Sequence, residues 1–317
     1  MFTVAAPTTL AELAGAAAGG AAPLGGGTDL LVALESGIGR ASGLAATSHI
    51  AEMGAVELGD HVARLGAAVR LDDLARHSLI VDRYRLLADA AAAVGTPALR
   101  EMGTLGGNLA QRPRCWYLRS RIPCLKNGGA GCPATEGENQ YHAILGAGPC
   151  HAAHPSDLAV ALVALDATLV TFGPNGERSR PLDSAFANAA SDPHAELSLD
   201  RGEVIVRVEI PPAAAGGAQQ FTKLMQRAAW DFATVSLAAA RRVDGSVRLV
   251  LGGVAPGPWR VNASVEEDVA SGALDADSAD ALADRALHDA RPLSKNGYKL
   301  QQAAALLSRA MLTLSQG

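Results

Sequence analysis

The sequence predicts an α+β fold in two domains, and three observations carry that expectation. In Glu203–Ile210 the residues Val204, Val206, Val208 and Ile210 alternate with Ile205, Arg207 and Glu209, which is the period of a strand. In Gly297–Leu314 the residues Leu300, Ala303, Ala304, Leu307 and Met311 fall on one helical face. Between them Pro211 and Pro212 stop the strand, and an Ala/Gly stretch to Gly217 reads as a linker dividing the chain into 1–215 and 218–317. A length of 317 residues agrees with two domains of about 150 residues each.

The elements follow in order. Leu10–Ala18 is predicted helical, and Gly25–Asp29 leads into a second helix from Leu30 that Thr28 or Asp29 can cap and Gly37 can end. His61–Leu71 turns strand-like, and residues 72–95, with Leu74, Leu86, Leu87 and an alanine run, read as helix. This places two subdomains at about 1–60 and 61–215. Residues 100–156 are rich in Gly, Pro, Asn and Arg without a lasting period, a long loop of the kind that carries function. Asp157–Leu165 is predicted helical and Ala167–Phe172 a strand, with Pro174-Asn175-Gly176 as a hairpin turn. The C-terminal hundred residues read as α/β, with a strand at Val247–Leu251 and helices at Asp275–His288 and Gly297–Leu314.

Composition excludes several classes. With 27 basic and 32 acidic residues the net charge is −5, so a broad nucleic-acid or anionic-membrane surface is not expected. No run of about 18 bulky apolar residues occurs, so no membrane span is expected. Met1–Gly20 lacks a positive leading region and does not read as a secretory signal. Apolar residues make up 49%, yet 65 of them are alanine and only 4% of the chain is aromatic, which predicts a core of small side chains. No Ser-His-Asp order or carboxylate pair argues for hydrolysis.

All four cysteines lie within 36 residues, spaced Cys115-x8-Cys124-x7-Cys132-x17-Cys150. Four thiolates suit a structural zinc or an iron–sulfur cluster, and two disulfides are arithmetically possible. The short CxxC pairs of zinc ribbons are absent, and nothing announces an oxidising compartment. From Met102 to Thr135 there is no carboxylate, whereas Arg112, Arg114, Arg119, Arg121 and Lys126 are cationic, a setting that favours a negatively charged cluster. His142, His151 and His154 lie near Cys150, but four cysteines already complete a tetrahedral set, so these histidines read as loop and turn residues. Trp116 and Tyr117, beside Cys115, could shield a cluster or anchor the loop.

Two glycine-rich turns complete the inventory. Gly25-Gly26-Gly27-Thr28-Asp29 permits close backbone approach and can offer N–H groups to phosphate oxygens. It is neither a Walker loop nor a GxGxxG fingerprint. Gly103-Thr104-Leu105-Gly106-Gly107-Asn108 is a second such turn, and two together suit a ligand with a pyrophosphate, such as a dinucleotide.

Five segments now stand in order: GGGTDLL at 25–31, GTLGGNLAQRPRC at 103–115, HPSDLAVALVALDA at 154–167, GEVIVRVEIP at 202–211 and LGGVAPGPWR at 251–260. Together they resemble the FAD-binding medium subunit of the xanthine dehydrogenase (molybdenum hydroxylase) family over essentially the whole chain. The resemblance implies a two-subdomain FAD-binding region of the vanillyl-alcohol-oxidase-like (PCMH) kind, followed by a CO dehydrogenase flavoprotein-type C-terminal domain. Most members lack cysteines between GGN and HPSD. The expanded segment here, residues 112–152, resembles that of the bacterial periplasmic aldehyde oxidoreductases, which implies a 4Fe-4S cluster on Cys115, Cys124, Cys132 and Cys150. The hydroxybenzoyl-CoA reductase flavin subunits are a second cysteine-bearing group, and a zinc-stapled scaffold without flavin is the alternative from another class.

By the same resemblance, Pro23, Leu24, Gly25, Gly26, Gly27, Thr28, Asp29 and Leu30 would embrace the FAD pyrophosphate and ribityl region. Thr104, Leu105, Gly106, Gly107 and Asn108 would form the opposite wall. Asp157 would contact ribityl or ribose hydroxyls, Ile205 would contact the isoalloxazine through its backbone, and Lys223 would lie near the polar edge of the flavin. Trp230-Asp231-Phe232 falls where the family places a segment near the flavin, and also suits core packing. The implied partners are a molybdenum-cofactor large subunit, a 2Fe-2S small subunit and an external electron acceptor. No catalytic residue is expected here, and the compartment would be the cytoplasm, or the periplasm if a partner carries the folded subunit across.

Overall fold

A computed structural model describes residues 3–59, 61–194 and 196–316. The subdomain boundary expected at residue 60 therefore falls on a position outside the described residues. The first unit comprises β1 (Val4–Ala5), α1 (Leu10–Ala18), β2 (Ala21–Leu24), α2 (Leu30–Glu35) and β3 (Gly43–Ala46). Its three strands form a parallel sheet in the order β1-β3-β2. Thr9 caps α1 by accepting from the Glu12 N–H, and Leu10, Leu13 and Ala14 face inward.

The second unit begins with β4 (Val56–Glu57) and β5 (Ala63–Gly66). Where one helix is expected over 72–95, three short ones occur: α3 (Leu71–Arg76), α4 (Ser78–Arg83) and α5 (Arg85–Ala92). The chain breaks at His77 and Tyr84, whose backbones leave the helical region. These breaks let Ile80, Tyr84, Leu86 and Leu87 all reach the core. The long loop also contains short helices, α6 (Pro97–Met102), α7 (Leu105–Leu109) and α8 (Trp116–Arg119), the first two capped by the side chains of Thr96 and Thr104. Then come α9 (Asp157–Ala164), the hairpin β6 (Thr168–Gly173) and β7 (Gly176–Pro181), and β8 (Val204–Ile210).

These strands make a sheet in the order β4-β5-β8-β6-β7. As the central strand, β8 buries Val204, Ile205 and Val206 together rather than one face alone.

The third unit is an antiparallel sheet, β12-β11-β10-β9, made of β9 (Ala218–Leu224), β10 (Val235–Arg241), β11 (Val247–Gly252) and β12 (Trp259–Arg260). It carries α10 (Ala263–Ser271), α11 (Ala276–Ala286) and α12 (Tyr298–Ser315). The sheet is buried on both sides. Ala238, Ala240 and Val250 join the main core with α5 and α9, while Leu237, Ala239, Leu249 and Leu251 join a second core under α10–α12. Among the described residues no helix is long and apolar enough to cross a membrane.

Candidate functional site

The first glycine turn links β2 to α2, with Gly27 at φ +72°. The backbone N–H groups of Gly25 to Thr28 donate to no acceptor among the described residues, so they remain available to an external anion. The turn lies directly on the second one. A Cβ on Gly26 would sit 1.6 Å from the Met102 carbonyl oxygen, and one on Gly25 would sit 2.4 Å from Thr104 Oγ1. Glycine is therefore demanded here by contact between the two turns.

The second turn is tied to the sheet behind it. Leu105 N–H donates to the Val69 carbonyl (2.9 Å), Gly106 N–H to the Ala67 carbonyl (2.8 Å) and Ala67 N–H to the Val206 carbonyl (2.8 Å). Ile205 thus neighbours the strand position on which the second turn hangs. Ser156 Oγ donates to Asn108 Oδ1 (2.6 Å) and accepts from the Ala159 N–H (2.9 Å), capping α9 while holding the second turn. Asp157, the next residue, is paired with Lys223 Nζ at 2.7 Å. Both side chains are buried, and burial raises the Asp157 pKa even against the favourable lysine charge.

Asp29 sits at the start of α2 but does not cap it. Its carboxylate accepts from the Arg112 N–H (2.9 Å), from Arg119 Nη2 (2.9 Å) and from Arg114 Nη1. Burial opposes ionisation, but Arg114 and Arg119 outweigh it and hold the carboxyl below its usual range. The first glycine turn is thereby tied to the entry of the cysteine loop. Glu196 plays a matching part, accepting from Arg112 and from Lys126 Nζ (3.1 Å). The basic island of the sequence is thus partly neutralised in space by two carboxylates from outside it.

All four cysteines are free thiols and line one small pocket together with Tyr117, Leu118, Leu125, Lys126, Pro133 and Ala152. Segments far apart along the loop therefore converge there. Among the described residues, no three His, Cys, Asp or Glu side chains come together closely enough for a single metal ion. Burial pushes the Cys115 thiol up to about 11 and also raises Cys150, with neighbouring thiols adding to both shifts. Loading such thiols with metal requires release of their protons.

His142, read from the sequence as a loop residue near Cys150, contacts Cys115, 27 residues before it, a pairing that no spacing signals. Its Nε2 lies 3.3 Å from Cys115 Sγ. Trp116 packs edge-on against Tyr141 with ring centroids 5.4 Å apart, and its indole N–H donates to the Glu138 carbonyl. Trp230 and Phe232 are exposed rather than packed in the core, with Arg114 over the Phe232 ring.

Two glycine turns in mutual contact, one on a three-stranded parallel sheet and one braced by a five-stranded sheet, followed by an antiparallel sheet with its helices, make up a chain that two flavoprotein family models cover. Residues 1–213 match the FAD binding domain in molybdopterin dehydrogenase, and residues 220–314 match the CO dehydrogenase flavoprotein C-terminal domain. The chain belongs to the FAD-binding medium subunits of the molybdenum hydroxylase and CO dehydrogenase family. It is 39% identical over 244 residues to the aldehyde oxidoreductase FAD-binding subunit PaoB of Escherichia coli, covering 76% of this chain and 74% of that one. The carbon monoxide dehydrogenase medium chain of Hydrogenophaga pseudoflava is 27% identical over 58% of this chain and 50% of its own. In structure, carbon monoxide dehydrogenase from that organism matches with a TM-score of 0.75 at 24% identity, covering 99% of this chain and 97% of that one. Quinoline 2-oxidoreductase from Pseudomonas putida 86 matches with 0.74 at 24% identity, covering 100% and 98%.

Proposed function

We propose that this chain is the FAD- and 4Fe-4S-carrying electron-transfer subunit of a molybdenum-cofactor aldehyde oxidoreductase. Its partners would be a molybdenum-cofactor large subunit and a 2Fe-2S small subunit. The observation that carries the reading is the convergence of Cys115, Cys124, Cys132 and Cys150 on one pocket, within a chain of this flavoprotein family. Four soft donors with an apolar lining that includes the stem of Lys126 fit an iron–sulfur cluster. The aldehyde assignment rests on the likeness to PaoB.

When bound, FAD and the cluster supply the electron-transfer chemistry, and the chain supplies binding and electrostatics. Pro23 to Leu30 would hold the pyrophosphate through the free N–H groups of Gly25 to Thr28. Thr104 to Asn108 would form the facing wall, and Ile205 would present its backbone to the ring. Lys223 occupies Asp157 Oδ2, which leaves Oδ1 to accept from a ribityl or ribose hydroxyl. Asp29 would act by fixing the turn against Arg112, Arg114 and Arg119.

The test is the visible and electron paramagnetic resonance (EPR) spectrum of the anaerobically purified complex, with metal analysis. A flavin absorption together with a 4Fe-4S signal, distinct from those of the 2Fe-2S subunit, is expected. Zinc without that signal would overturn the cluster, and absence of flavin would overturn the whole reading.

A further inference from the structure

We propose that His142 sets the reduction potential of the cysteine-held cluster by donating an N–H···S hydrogen bond from Nε2 to Cys115 Sγ, and that Asn296 and Lys299 hold it there. The proposal rests on the reading of the four cysteines as cluster ligands. The contact is 3.3 Å long, within hydrogen-bonding range for sulfur. A thiolate bound to iron only accepts, so the ring must carry its proton on Nε2. His142 is 3% exposed, and its Nδ1 is buried with no partner among the described residues. Cys115 Sγ is thus the polar contact of this ring.

The backbone of His142 is held by its own loop on one side and by the start of α12 on the other. Its N–H donates to the Asn139 carbonyl at 3.0 Å. Its carbonyl accepts from Asn296 Nδ2 and from Lys299 Nζ, both at 3.1 Å. Lys299 Nζ also donates to the Gly253 carbonyl at 2.8 Å. Asn296 and Lys299 are both 0% exposed, and a buried lysine bonded only to carbonyls is costly for folding alone. The start of α12 therefore reaches more than 150 residues back along the chain to place one imidazole.

The consequence is electrostatic. A donor to the cysteine sulfur stabilises negative charge on the ligand, and more so after an electron is added, so it raises the potential. Burial lowers the Lys299 pKa to about 7, so its Nζ acts in the same direction to the extent that it holds its third proton.

The experiment is an EPR-monitored redox titration of the anaerobic complex, with iron and flavin content measured alongside. H142F is expected to lower the midpoint potential of the 4Fe-4S signal at unchanged flavin content, H142Q to restore part of the loss through its amide N–H, and K299M to lower it less. An H142F potential equal to that of the wild type, with iron retained, would overturn the proposal. Should H142F lose iron, wild-type complex labelled with 15N-histidine decides. Pulsed EPR of the reduced cluster is expected to show a 15N coupling that H142Q removes, and its absence from the wild type would equally overturn the proposal. Absence of any 4Fe-4S signal from the wild type would instead sink the cluster reading itself.

Discussion

Lys223 Nζ and Asp157 Oδ2, 2.7 Å apart, form a buried ion pair that joins β9 of the C-terminal sheet to the first turn of α9. Lys223 also donates to the Ala93 carbonyl at 3.0 Å, so one ammonium closes three elements on each other. Removing one partner strands a buried charge, and Lys223→Met is expected to cost about 3–5 kcal/mol in urea denaturation. The double variant Lys223→Met/Asp157→Leu should cost less than the sum of the two singles. Additive losses would show that the contact is not what stabilises the junction. The sign with pH follows from Asp157. Burial raises its folded pKa above 3.8, and loss of the lysine raises it further, so the penalty grows as pH rises above that value. The Lys223→Met deficit should therefore narrow as the medium is acidified towards pH 4.

The contact between the two glycine turns makes a second prediction. At Gly26 the clash is with a backbone carbonyl, that of Met102, which cannot swing away as a long side chain would. Gly26→Ala is expected to push the turns apart and weaken flavin retention by at least about tenfold, or about 1.4 kcal/mol. Flavin absorbance per chain after gel filtration measures it. Gly128→Ala is the control for a glycine in open space, although its positive φ adds a small strain of its own. Equal flavin content in the two variants would remove the turn contact from the binding site.

What the sequence reveals, and what it conceals, follows from the range of the forces involved. The helix α1, the β6–β7 hairpin and the strand β8 are legible because caps, turn residues and alternation are local signals. Strand β10 is not, since its Ser236-Leu237-Ala238-Ala239-Ala240 run packs against a core on either face and so shows no polar alternation. The glycine turns are legible one at a time, but their mutual contact is not. The same holds for Asp29, which gathers arginine partners 83 to 90 residues away and so leaves no spacing for a motif to record. The cysteines are legible as a group by their crowding, whereas the approach of His142 to Cys115 depends on residues at the start of α12.

The cysteine pocket yields a third prediction. Cys124 is buried at its wall, and serine offers a hard oxygen in place of a soft sulfur. Cys124→Ser is expected to lose the 4Fe-4S signal while keeping flavin, because the contacts that brace the turns (Gly25 with Thr104, Gly26 with Met102, Asp29 with Arg112) do not pass through the thiols. Loss of both groups together would mean that the loop and the flavin turn fold as one unit. Turnover in the flavin-replete variant then assigns the role of the cluster. A fall places it on the electron path, and an unchanged rate confines it to shaping the loop.

His154 makes the chain sensitive to acid in a defined window. The ring is 4% exposed, stacked edge-on against Phe186 at 4.9 Å, and its Nδ1 accepts from the Ser156 N–H at 3.3 Å. An accepting Nδ1 means a neutral ring, and burial pushes the pKa down from 6.5 to about 4. Because the folded value lies below the unfolded one, the unfolded chain takes up the proton first as pH falls. The contribution is fully present above pH 6.5 and is lost progressively down to about pH 4, a difference of about 3 kcal/mol. Urea denaturation at pH 7 and pH 4.5 should show this loss in the wild type and a smaller one in His154→Gln, and equal losses would contradict a neutral buried ring. Protonation also sets a new N–H against that of Ser156, the residue that caps α9 and holds Asn108 of the second glycine turn. Flavin release should therefore begin in the same pH window in the wild type, and at lower pH in His154→Gln, when followed by the fluorescence of flavin freed from the protein.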